Sequence, residues 1–175
     1  MSNLAQIRPS TPTLQLSQVT CLLPDAKLVN AADAPSIAGV SVATDDLESG
    51  WLFVDSPGQR SHGAAYSDAA KQAGAAAILT DPEGADRAAA TGLPVVVTDG
   101  PREAAALVAD KFYGPEHQNV IKVGVTGTNG KTTTTYFVKA VLQAGLGQTA
   151  LFGTIELDTG ETKVYADRTT HEVPV

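Results

Sequence analysis

A short glycine-rich segment carries the residue types and the spacing that can bind phosphate. In GVTGTNGKTTTT, residues 124–135, Gly127 and Gly130 are followed directly by Lys131 and Thr132. Glycine adopts backbone angles that other residues cannot, and it lets the main chain approach an anion closely. The N–H groups of such a turn and the positive end of a helix dipole attract phosphate. The lysine can then reach terminal phosphates, and the threonine hydroxyl can bind Mg²⁺.

The sequence on either side of this turn predicts the elements that would present it. Residues 120–126 (VIKVGVT) predict a buried strand that runs into the turn, and residues 132–144 predict a helix that ends at Gly145 and Gly147. The general P-loop pattern requires a glycine where Val125 stands, so this segment has the tighter form G-T-N-G-K-T. An ordinary glycine-rich turn is the alternative, but the order strand, two glycines, Lys-Thr, helix favours phosphate binding.

The run of four threonines at 132–135 supports the same interpretation. β-Branched hydroxyl residues have low helix propensity, so the run suits a site in which hydroxyl and N–H groups contact a ligand. Lys131 is the candidate catalytic residue, and Thr132 is the candidate metal ligand. The candidate nucleotide-binding residues are Gly127, Thr128, Asn129, Gly130, Lys131, Thr132 and Thr133.

Upstream of the turn, short apolar runs alternate with helical patterns. Strands are predicted at residues 40–43, 51–54, 75–80 and 94–98, and helices at residues 64–73, 85–91 and 102–113. Strands that alternate with helices predict an α/β layer architecture. Residues 1–20 are polar and contain two prolines, so they predict a loose leading segment.

The segment GPEHQN at 114–119 interrupts this alternation and predicts a linker. We therefore expect one domain over residues 1–117 and the beginning of a second over residues 118–175. The second would hold one strand–helix–strand unit and, over residues 156–168, a hairpin or loop excursion that turns at Asp158-Thr159-Gly160. A parallel sheet needs more strands and cover on both faces, so this half should expose apolar surface and form part of a longer protein.

Composition excludes several other classes of protein. Hydrophobic residues make up 43% and charged residues 18%, which is an ordinary globular balance, and the net charge of −7 argues against a general nucleic-acid binder. No apolar run reaches the roughly 18–20 residues that span a bilayer, and residues 1–10 have no secretory pattern. The single cysteine, Cys21, cannot form an internal disulfide, which favours the cytoplasm, and we expect it to be a small buried hydrophobe.

Four further segments, together with G-T-N-G-K-T, resemble the Mur ligase family over residues from about 40 to 170. Within the family they are most similar to the members that add the third residue of the peptide. The segments are Leu52-Phe53-Val54 with Pro57-Gly58 and His62-Gly63; residues 73–79 (AGAAAIL); Phe112-Tyr113-Gly114-Pro115 before residues 123–127; and Phe152-Gly153-Thr154 with Arg168-Thr169-Thr170.

The resemblance implies a fold, a reaction and a set of sites. A small N-terminal uridine-binding α/β domain would hold the UDP of a UDP-N-acetylmuramoyl-dipeptide, and the second domain would begin a P-loop parallel-sheet ATPase. With ATP and Mg²⁺, the reaction would form an amide with an amino acid through an acyl phosphate. Thr44 and the loop Gly58–Gly63, including His62, would lie near the uracil and ribose. Thr169 and Thr170 would contact the muramoyl-peptide or the diphosphate.

The chain also departs from the family pattern. Ala43-Thr44-Asp45 stands where the family has Asp-Ser-Arg, and His171 replaces the proline of Thr-Thr-Pro-Glu. The resemblance implies that further ligands of the metal, the adenine-contacting residues and an amino-acid-binding domain would lie beyond Val175. By this analogy the chain alone would not complete a catalytic cycle, and its partners would be the missing C-terminal parts of the same enzyme, with no nucleic acid and no membrane.

Several alternatives stay open at this level. His62 is either a uridine contact or a loop histidine without a chemical role, and the acidic turn with Asp45, Asp46 and Glu48 is either a metal site or, more often, a solvated cap. His117 is predicted to be solvated in the linker, and His171 a terminal residue without a role. The chain could instead be a non-catalytic nucleotide-sugar binding module. It could also belong to another P-loop enzyme, such as a folylpolyglutamate synthase-like ligase or a small kinase.

Overall fold

In the computed structural model, which describes residues 12–30, 34–58, 62–114 and 119–165, the alternating sequence pattern becomes two separate units. We call residues 12–114 the N-terminal unit and residues 119–165 the C-terminal unit. Each buries its own apolar side chains, so each is described by itself. None of the helices in these ranges is long and apolar enough to cross a bilayer.

A five-stranded sheet organises the N-terminal unit. Its strands are β2 (Lys27–Val29), β4 (Val40–Ser41), β5 (Leu52–Val54), β6 (Ala77–Thr80) and β7 (Val95–Val97), and a separate pair is formed by β1 (Leu14–Gln15) and β3 (Ser36–Ile37). The helices are α1 (Leu16–Cys21), α2 (Ser67–Gln72), α3 (Ala85–Ala90) and α4 (Pro101–Tyr113). The sheet order is β2-β7-β6-β5-β4; strands β4 to β7 are parallel, and β2 is antiparallel at the edge. The α/β prediction is therefore confirmed.

Helices cover both faces of this sheet, as a parallel sheet requires. Side chains alternate along each strand, so Leu52 and Val54 face one apolar cluster while Phe53 faces the other. The first cluster contains α1 and α4, and the second contains α2 and α3. Consequently the four parallel strands are buried throughout, and all their carboxyl ends lie at one edge of the sheet.

The prediction of a loose leading segment is wrong for the described residues from 12 onward. Leu14, Leu16, Val19 and Leu23 are buried and pack into the same cluster as α4. The hydrophobic pattern of this segment is weak because its few apolar residues are separated by polar ones. These four side chains are nevertheless sufficient for β1 and α1 to form, because the sheet provides an apolar face for them to pack against. The prediction that Cys21 is buried is also wrong, since it ends α1 on the exposed side.

The C-terminal unit contains one long helix and a small antiparallel sheet. The elements are α5 (Lys131–Leu146), β8 (Leu151–Phe152), β9 (Glu156–Asp158) and β10 (Lys163–Tyr165), with the sheet order β10-β9-β8. The predicted hairpin is confirmed, and Gly160 has the positive φ of +89° that its turn needs. Gly145 continues the helix, and Gly147, at φ +95°, is the residue that caps it.

Residues 120–126 are not a strand, so this prediction is wrong for the unit as described. The sequence has the β-branched pattern of a strand, but a strand also needs a hydrogen-bonded neighbour, which depends on tertiary structure. The predicted exposure of apolar surface is confirmed, because α5 has no buried residue. Exposed side chains include Val120, Ile121, Val123, Phe137, Val141 and Phe152. An open groove of about 550 Å³ lies between residues 119–125, α5 and residues 148–152.

Candidate functional site

The phosphate loop, residues 127–130, has the backbone geometry that its glycines predicted. Gly127 has φ +147° and Gly130 has φ +74°, and Gly130 is the residue that caps the start of α5. A Cβ at Gly130 would meet nothing within 4 Å, so glycine is needed there for the left-handed backbone angle rather than for space. The Thr134 N–H donates to the Gly130 carbonyl oxygen (2.9 Å), and the helix is therefore formed from its first turn.

The first turn of α5 offers main-chain donors to an anion. The first N–H groups of an α-helix have no acceptor within the helix, and the helix dipole makes this end positive. In α5 these groups belong to Lys131, Thr132 and Thr133, directly after the exposed residues Thr128 and Asn129. The predicted nucleotide-binding residues thus come together at one helix start.

The Lys131 side chain folds back over the phosphate loop. Its Nζ donates to the carbonyl oxygens of Gly127 (2.6 Å) and Thr128 (3.4 Å), and the residue is exposed. Carbonyl groups rather than a carboxylate therefore hold this ammonium. An anion at the loop can compete with neutral acceptors for the cation, because hydrogen bonds between charged groups are the stronger ones.

The threonines of α5 have different partners. The Thr132 hydroxyl lies 3.4 Å from the hydroxyl of Thr154, whereas the Thr135 hydroxyl donates to the Thr132 carbonyl oxygen (2.7 Å). Thr135 therefore satisfies its hydroxyl within the helix, in the manner that lets threonine occupy a helix interior. Of these two threonines, only Thr132 has a hydroxyl at the loop end that is not used by the helix itself.

The residues at this loop fit a magnesium ion that is held mainly by phosphate. Within the described ranges, no group of three or more His, Cys, Asp or Glu side chains could hold a metal. The acidic residues Asp45, Asp46 and Glu48 do not form such a group. Mg²⁺ keeps several waters and binds phosphate oxygens with few protein ligands, so one hydroxyl such as that of Thr132 is a suitable donor.

The candidate uridine-binding residues lie at the carboxyl edge of the N-terminal sheet. Thr44 is half-buried and begins a 3-10 helix three residues after β4, while Gly58, His62 and Gly63 belong to the loop after β5. Because β4 and β5 are parallel neighbours, both segments start from the same edge. Ligands of open α/β sheets bind at this edge.

His62 connects the ends of two adjacent strands. Its Nε2 lies 2.9 Å from Oδ1 of Asp81, which follows β6, and its Nδ1 lies 3.1 Å from Oδ1 of Asp55, which follows β5. The Ala64 N–H also points at Nδ1, at 3.0 Å. We call Asp55, His62 and Asp81 the His62 cluster. Both ring nitrogens are thus engaged inside the protein.

Two glycines leave the space for this cluster. A Cβ at Gly63 would lie 2.7 Å from Asp55 Oδ1, and a Cβ at Gly84 would lie 2.8 Å from His62 Cε1 and would also collide with the Thr80 hydroxyl. That hydroxyl donates to Asp55 Oδ2 (3.2 Å), and the Gly84 N–H donates to Asp81 Oδ1 (2.9 Å). Gly63 therefore has a clear structural role, whether or not its main chain also touches a ligand.

Burial and hydrogen bonding shift the titration of all three groups. Burial raises the pKa of the Asp55 carboxyl, although the nearby His62 opposes this effect. Partial burial opposes the charge on His62, but the hydrogen bond to Asp81 and the charges of both aspartates outweigh it and raise the pKa of His62. Burial also disfavours ionised Asp81, but the Gly84 N–H and His62 lower the pKa of Asp81. The ionised form is therefore favoured for Asp81 and disfavoured for Asp55.

Comparison with known proteins assigns the family. The Mur ligase family, catalytic domain, matches residues 36–127, which is more than half of the chain, and the Mur ligase middle domain matches residues 125–173. The chain belongs to the Mur ligase family. The resemblance predicted from the sequence segments is confirmed.

Two relatives illustrate how far the similarity extends. The chain is 42% identical over 136 residues to UDP-N-acetylmuramoyl-L-alanyl-D-glutamate–2,6-diaminopimelate ligase of Streptomyces avermitilis, covering 78% of the chain and 27% of that protein. It is 41% identical over 168 residues to UDP-N-acetylmuramyl-tripeptide synthetase of Leifsonia xyli subsp. xyli, covering 95% of the chain and 32% of that protein. The chain therefore spans about a third or less of the length of these curated relatives.

A solved structure supports the fold of this Mur ligase chain. MurF from Acinetobacter baumannii superposes with a TM-score of 0.58 over 78% of the chain and 29% of that structure, at 18% identity. At this identity the likeness concerns the fold alone. It agrees with the α/β architecture described above.

A second polar cluster, in the C-terminal unit, was not recognised in the sequence. Asp158 is 1% exposed, pairs closely with Lys139 of α5 and lies 3.0 Å from Lys163 Nζ on β10. The hydrogen bond from Lys139, with further donors from Gly160 and Lys163, lowers the pKa of Asp158 to about 2. The sequence identified Asp158 only as a turn residue. No local pattern indicates this cluster, because Lys139 and Asp158 are 19 residues apart and belong to different elements.

Some predicted residues lie outside the described residues of this Mur ligase chain. They are Thr169 and Thr170, predicted to contact substrate, residues 59–61 of the predicted uridine loop Gly58–Gly63, and the histidines His117 and His171. Their roles stay predictions. Among the described candidates, the structure brings the phosphate-loop residues together at one helix start and the Thr44 and His62 segments together at one sheet edge.

Proposed function

We propose that this chain provides the uridine-binding part and the ATP-phosphate-binding part of a ligase that adds an amino acid to a UDP-N-acetylmuramoyl-dipeptide in peptidoglycan biosynthesis. Membership of the Mur ligase family supports this proposal, as do the names of the relatives, which are ligases and synthetases acting on UDP-N-acetylmuramoyl-peptides. Residues 1–117 would form the substrate domain, and residues 118–175 would begin the ATP-binding domain. The net charge of −7 and the single cysteine fit a reaction in the cytoplasm without nucleic acid.

The phosphate loop is the observation that carries the proposal. Gly130 in the left-handed conformation turns the main chain so that the first N–H groups of α5 point toward one place, and the Lys131 ammonium lies over the same loop. Main-chain donors combined with the Lys131 ammonium suit a triphosphate better than a neutral ligand. The remaining candidates, Thr128, Asn129 and Thr133, would add donors around the same phosphates.

The reaction would proceed in two steps. A carboxylate oxygen of the dipeptide attacks the γ-phosphorus of ATP and displaces ADP, which forms an acyl phosphate. The amine of the amino acid then attacks the acyl carbon, phosphate leaves with the bonding electron pair, and the amine loses a proton. Lys131 and the N–H groups would neutralise negative charge that develops in the first step. Mg²⁺, held by phosphate oxygens and Thr132, would neutralise phosphate charge when bound.

The substrate would bind at the carboxyl edge of the N-terminal sheet. Thr44 and the loop that contains Gly58, His62 and Gly63 both emerge there, after adjacent parallel strands. We propose that this edge binds the uridine of the substrate. Thr169 and Thr170 would contact the muramoyl-peptide or the diphosphate.

Calorimetry with Lys131→Ala tests the ATP assignment. We expect ATP·Mg²⁺ affinity to fall roughly 10- to 100-fold, because a hydrogen bond to a charged group contributes about 1.5–3 kcal/mol. Lys122→Ala, which removes an exposed lysine of the same unit, is the matched control and should bind like the parent protein. Equal affinity in the Lys131 variant would show that the loop does not bind the triphosphate.

The same titrations separate the alternative functions. Binding of UDP without binding of ATP would favour a non-catalytic nucleotide-sugar module. Binding of ATP without binding of any uridine nucleotide would favour another P-loop ligase or a kinase. The proposed function requires that both nucleotides bind.

A further inference from the structure

His62 lies at the end of the loop after β5, and both of its ring nitrogens face aspartate side chains. A histidine that contacts a ligand needs a ring nitrogen free for it, but both nitrogens of His62 lie within 3.1 Å of buried carboxylates. We propose that His62 is a positioning residue: it fixes the returning end of the loop to the ends of β5 and β6, so that the main chain around Gly58 and Gly63 can receive the uridine. This inference rests on the proposed uridine site.

The base of the loop is closed at the residue that carries the imidazole. Pro57 and His62 form an isolated antiparallel bridge, and the Gly63 N–H donates to the Ser56 carbonyl oxygen (3.0 Å). His62 also begins the 3-10 helix Gly63–Tyr66, since its carbonyl oxygen accepts from the Ala65 N–H (3.1 Å) and its side chain from the Ala64 N–H. Fixing the imidazole therefore fixes the end of the loop and the start of the next helical turn together.

A second side chain holds the other end of the loop base. Arg102, in the first turn of α4, donates through Nη2 to the Pro57 carbonyl oxygen (3.3 Å) and through Nε to the Ser56 hydroxyl (3.4 Å). Arg102 is exposed and the His62 cluster is largely buried. Of these two side chains, His62 is therefore the one that holds the buried side of the loop base.

The 3.1 Å approach of His62 Nδ1 to Asp55 Oδ1 favours a proton retained on one of these two groups. A neutral ring with its proton on Nδ1 would instead turn the Nε2 lone pair toward ionised Asp81, 2.9 Å away. Nδ1 cannot accept from the Ala64 N–H and donate to Asp55 in the same state. With a neutral ring protonated on Nε2, Asp55 Oδ1 faces a nitrogen lone pair, and the contact is favourable only if Asp55 carries a proton. With a doubly protonated ring, Nδ1–H donates to ionised Asp55, and the Ala64 contact is lost. In both states the pair holds one proton more than ionised Asp55 with neutral His62.

Loss of that proton should loosen the loop base. At high pH a buried carboxylate would face an imidazole nitrogen at 3.1 Å, and Oδ1 of Asp55 has no hydrogen-bond partner among the described residues. The pKa of both groups is raised, in agreement with a retained proton. Other charges near this turn are Glu83, which adds negative charge at His62, and the exposed groups of the two helices packed on it, Asp68, Lys71, Asp86 and Arg87.

Asp81→Asn distinguishes positioning from direct contact. Asp81 is buried and holds the imidazole from the side of β6, so a positioning role predicts that Asp81→Asn and His62→Ala weaken UDP binding alike, by about tenfold or more. Direct contact of the ring with uridine predicts that only the His62 variant loses affinity. ATP·Mg²⁺ affinity should be unchanged in both variants, and His117→Gln serves as the control for loss of a histidine.

The conservative variant tests the retained proton. His62→Gln keeps a donor near the position of Nε2 and removes the titration, so it should recover part of the UDP affinity lost in His62→Ala. The affinity of the parent protein should decline as pH rises from 6 to 9, whereas that of His62→Gln should stay level. A parent affinity independent of pH, or a Gln variant no better than the Ala variant, would contradict the proposal.

Amide hydrogen exchange provides a readout that does not depend on UDP. Exchange at residues 62–66, measured by mass spectrometry, should be faster in His62→Ala and Asp81→Asn than in the parent protein. If the parent protein fails to bind UDP but shows this difference, the proposed function is wrong and the anchoring role stands. If exchange is equal in all three proteins, the anchoring role itself is wrong.

Discussion

The phosphate loop and the loop anchored by His62 both precede a helical turn, but different forces hold them. The phosphate loop is exposed and depends on the backbone angles of Gly127 and Gly130, with the Lys131 ammonium on its carbonyl groups. The loop after β5 is held by buried carboxylates at the ends of two strands. A loop whose conformation depends on its own glycines can be recognised from a short stretch of sequence. A loop that is held by side chains from distant strands cannot be recognised in this way.

Glycine has a different role beside the His62 cluster and in the phosphate loop, and substitution should distinguish the two roles. Gly84→Ala should have the largest effect, a loss of about 3 kcal/mol in the free energy of unfolding, because the added methyl group overpacks Thr80 and His62. Urea denaturation measures this change. Gly124→Ala, where a Cβ meets nothing within 4 Å, is the control, and an equal effect at both positions would contradict the packing argument.

Gly130→Ala should act on binding more than on stability. The left-handed conformation costs an L-residue about 1–2 kcal/mol, so ATP·Mg²⁺ affinity should fall roughly tenfold as the loop leaves this geometry. Gly145→Ala is the control within α5 and should raise stability by about 0.5–1 kcal/mol, because alanine is the better helix residue. Calorimetry measures this affinity. An unchanged affinity in Gly130→Ala would show that ATP·Mg²⁺ binding does not depend on glycine in the left-handed conformation at this position.

The two units should respond to pH in opposite directions, which is the smallest expected effect. The pKa of Asp158 is lowered to about 2, so the stability from its ionised form is complete above about pH 4 and is lost as pH falls through about 2. The pKa of His62 is raised, so its contribution is complete below about pH 6.5 and is lost as pH rises through the higher folded value. Thermal unfolding of the parent, Asp158→Asn and His62→Gln between pH 2 and pH 9 measures both.

Each variant should remove the main change in stability on one side of this pH range, either the acid side or the alkaline side. Asp158→Asn should flatten the acid side and leave the alkaline side unchanged. His62→Gln should flatten the alkaline side and, because His62 also lowers the pKa of Asp81, change the acid side by a smaller amount. An alkaline side that stays the same in His62→Gln, or an acid side that stays the same in Asp158→Asn, would show that the two clusters do not titrate as their partners indicate.

The predictions that the structure confirms concern segments whose conformation is determined by residues close together in the sequence. The apolar runs of β5, β6 and β7 alternate with helices, and this order is enough to define a parallel sheet covered on both faces. The glycines and Lys131 of the phosphate loop define a turn and a helix start because backbone conformation is a property of neighbouring residues.

Tertiary structure decided the features that depend on distant partners. The leading segment around Leu14 and Val19 folds because the sheet provides an apolar face, and residues 120–126 form no strand because none of the described residues pairs with them. Asp55 and Asp81 are 26 residues apart, and only parallel pairing of β5 and β6 brings them to one imidazole. The sequence by itself thus determined the α/β order, the family and the phosphate loop, all of which rest on local pattern. Hydrogen bonding and burial between remote residues determined which side chains hold the second loop.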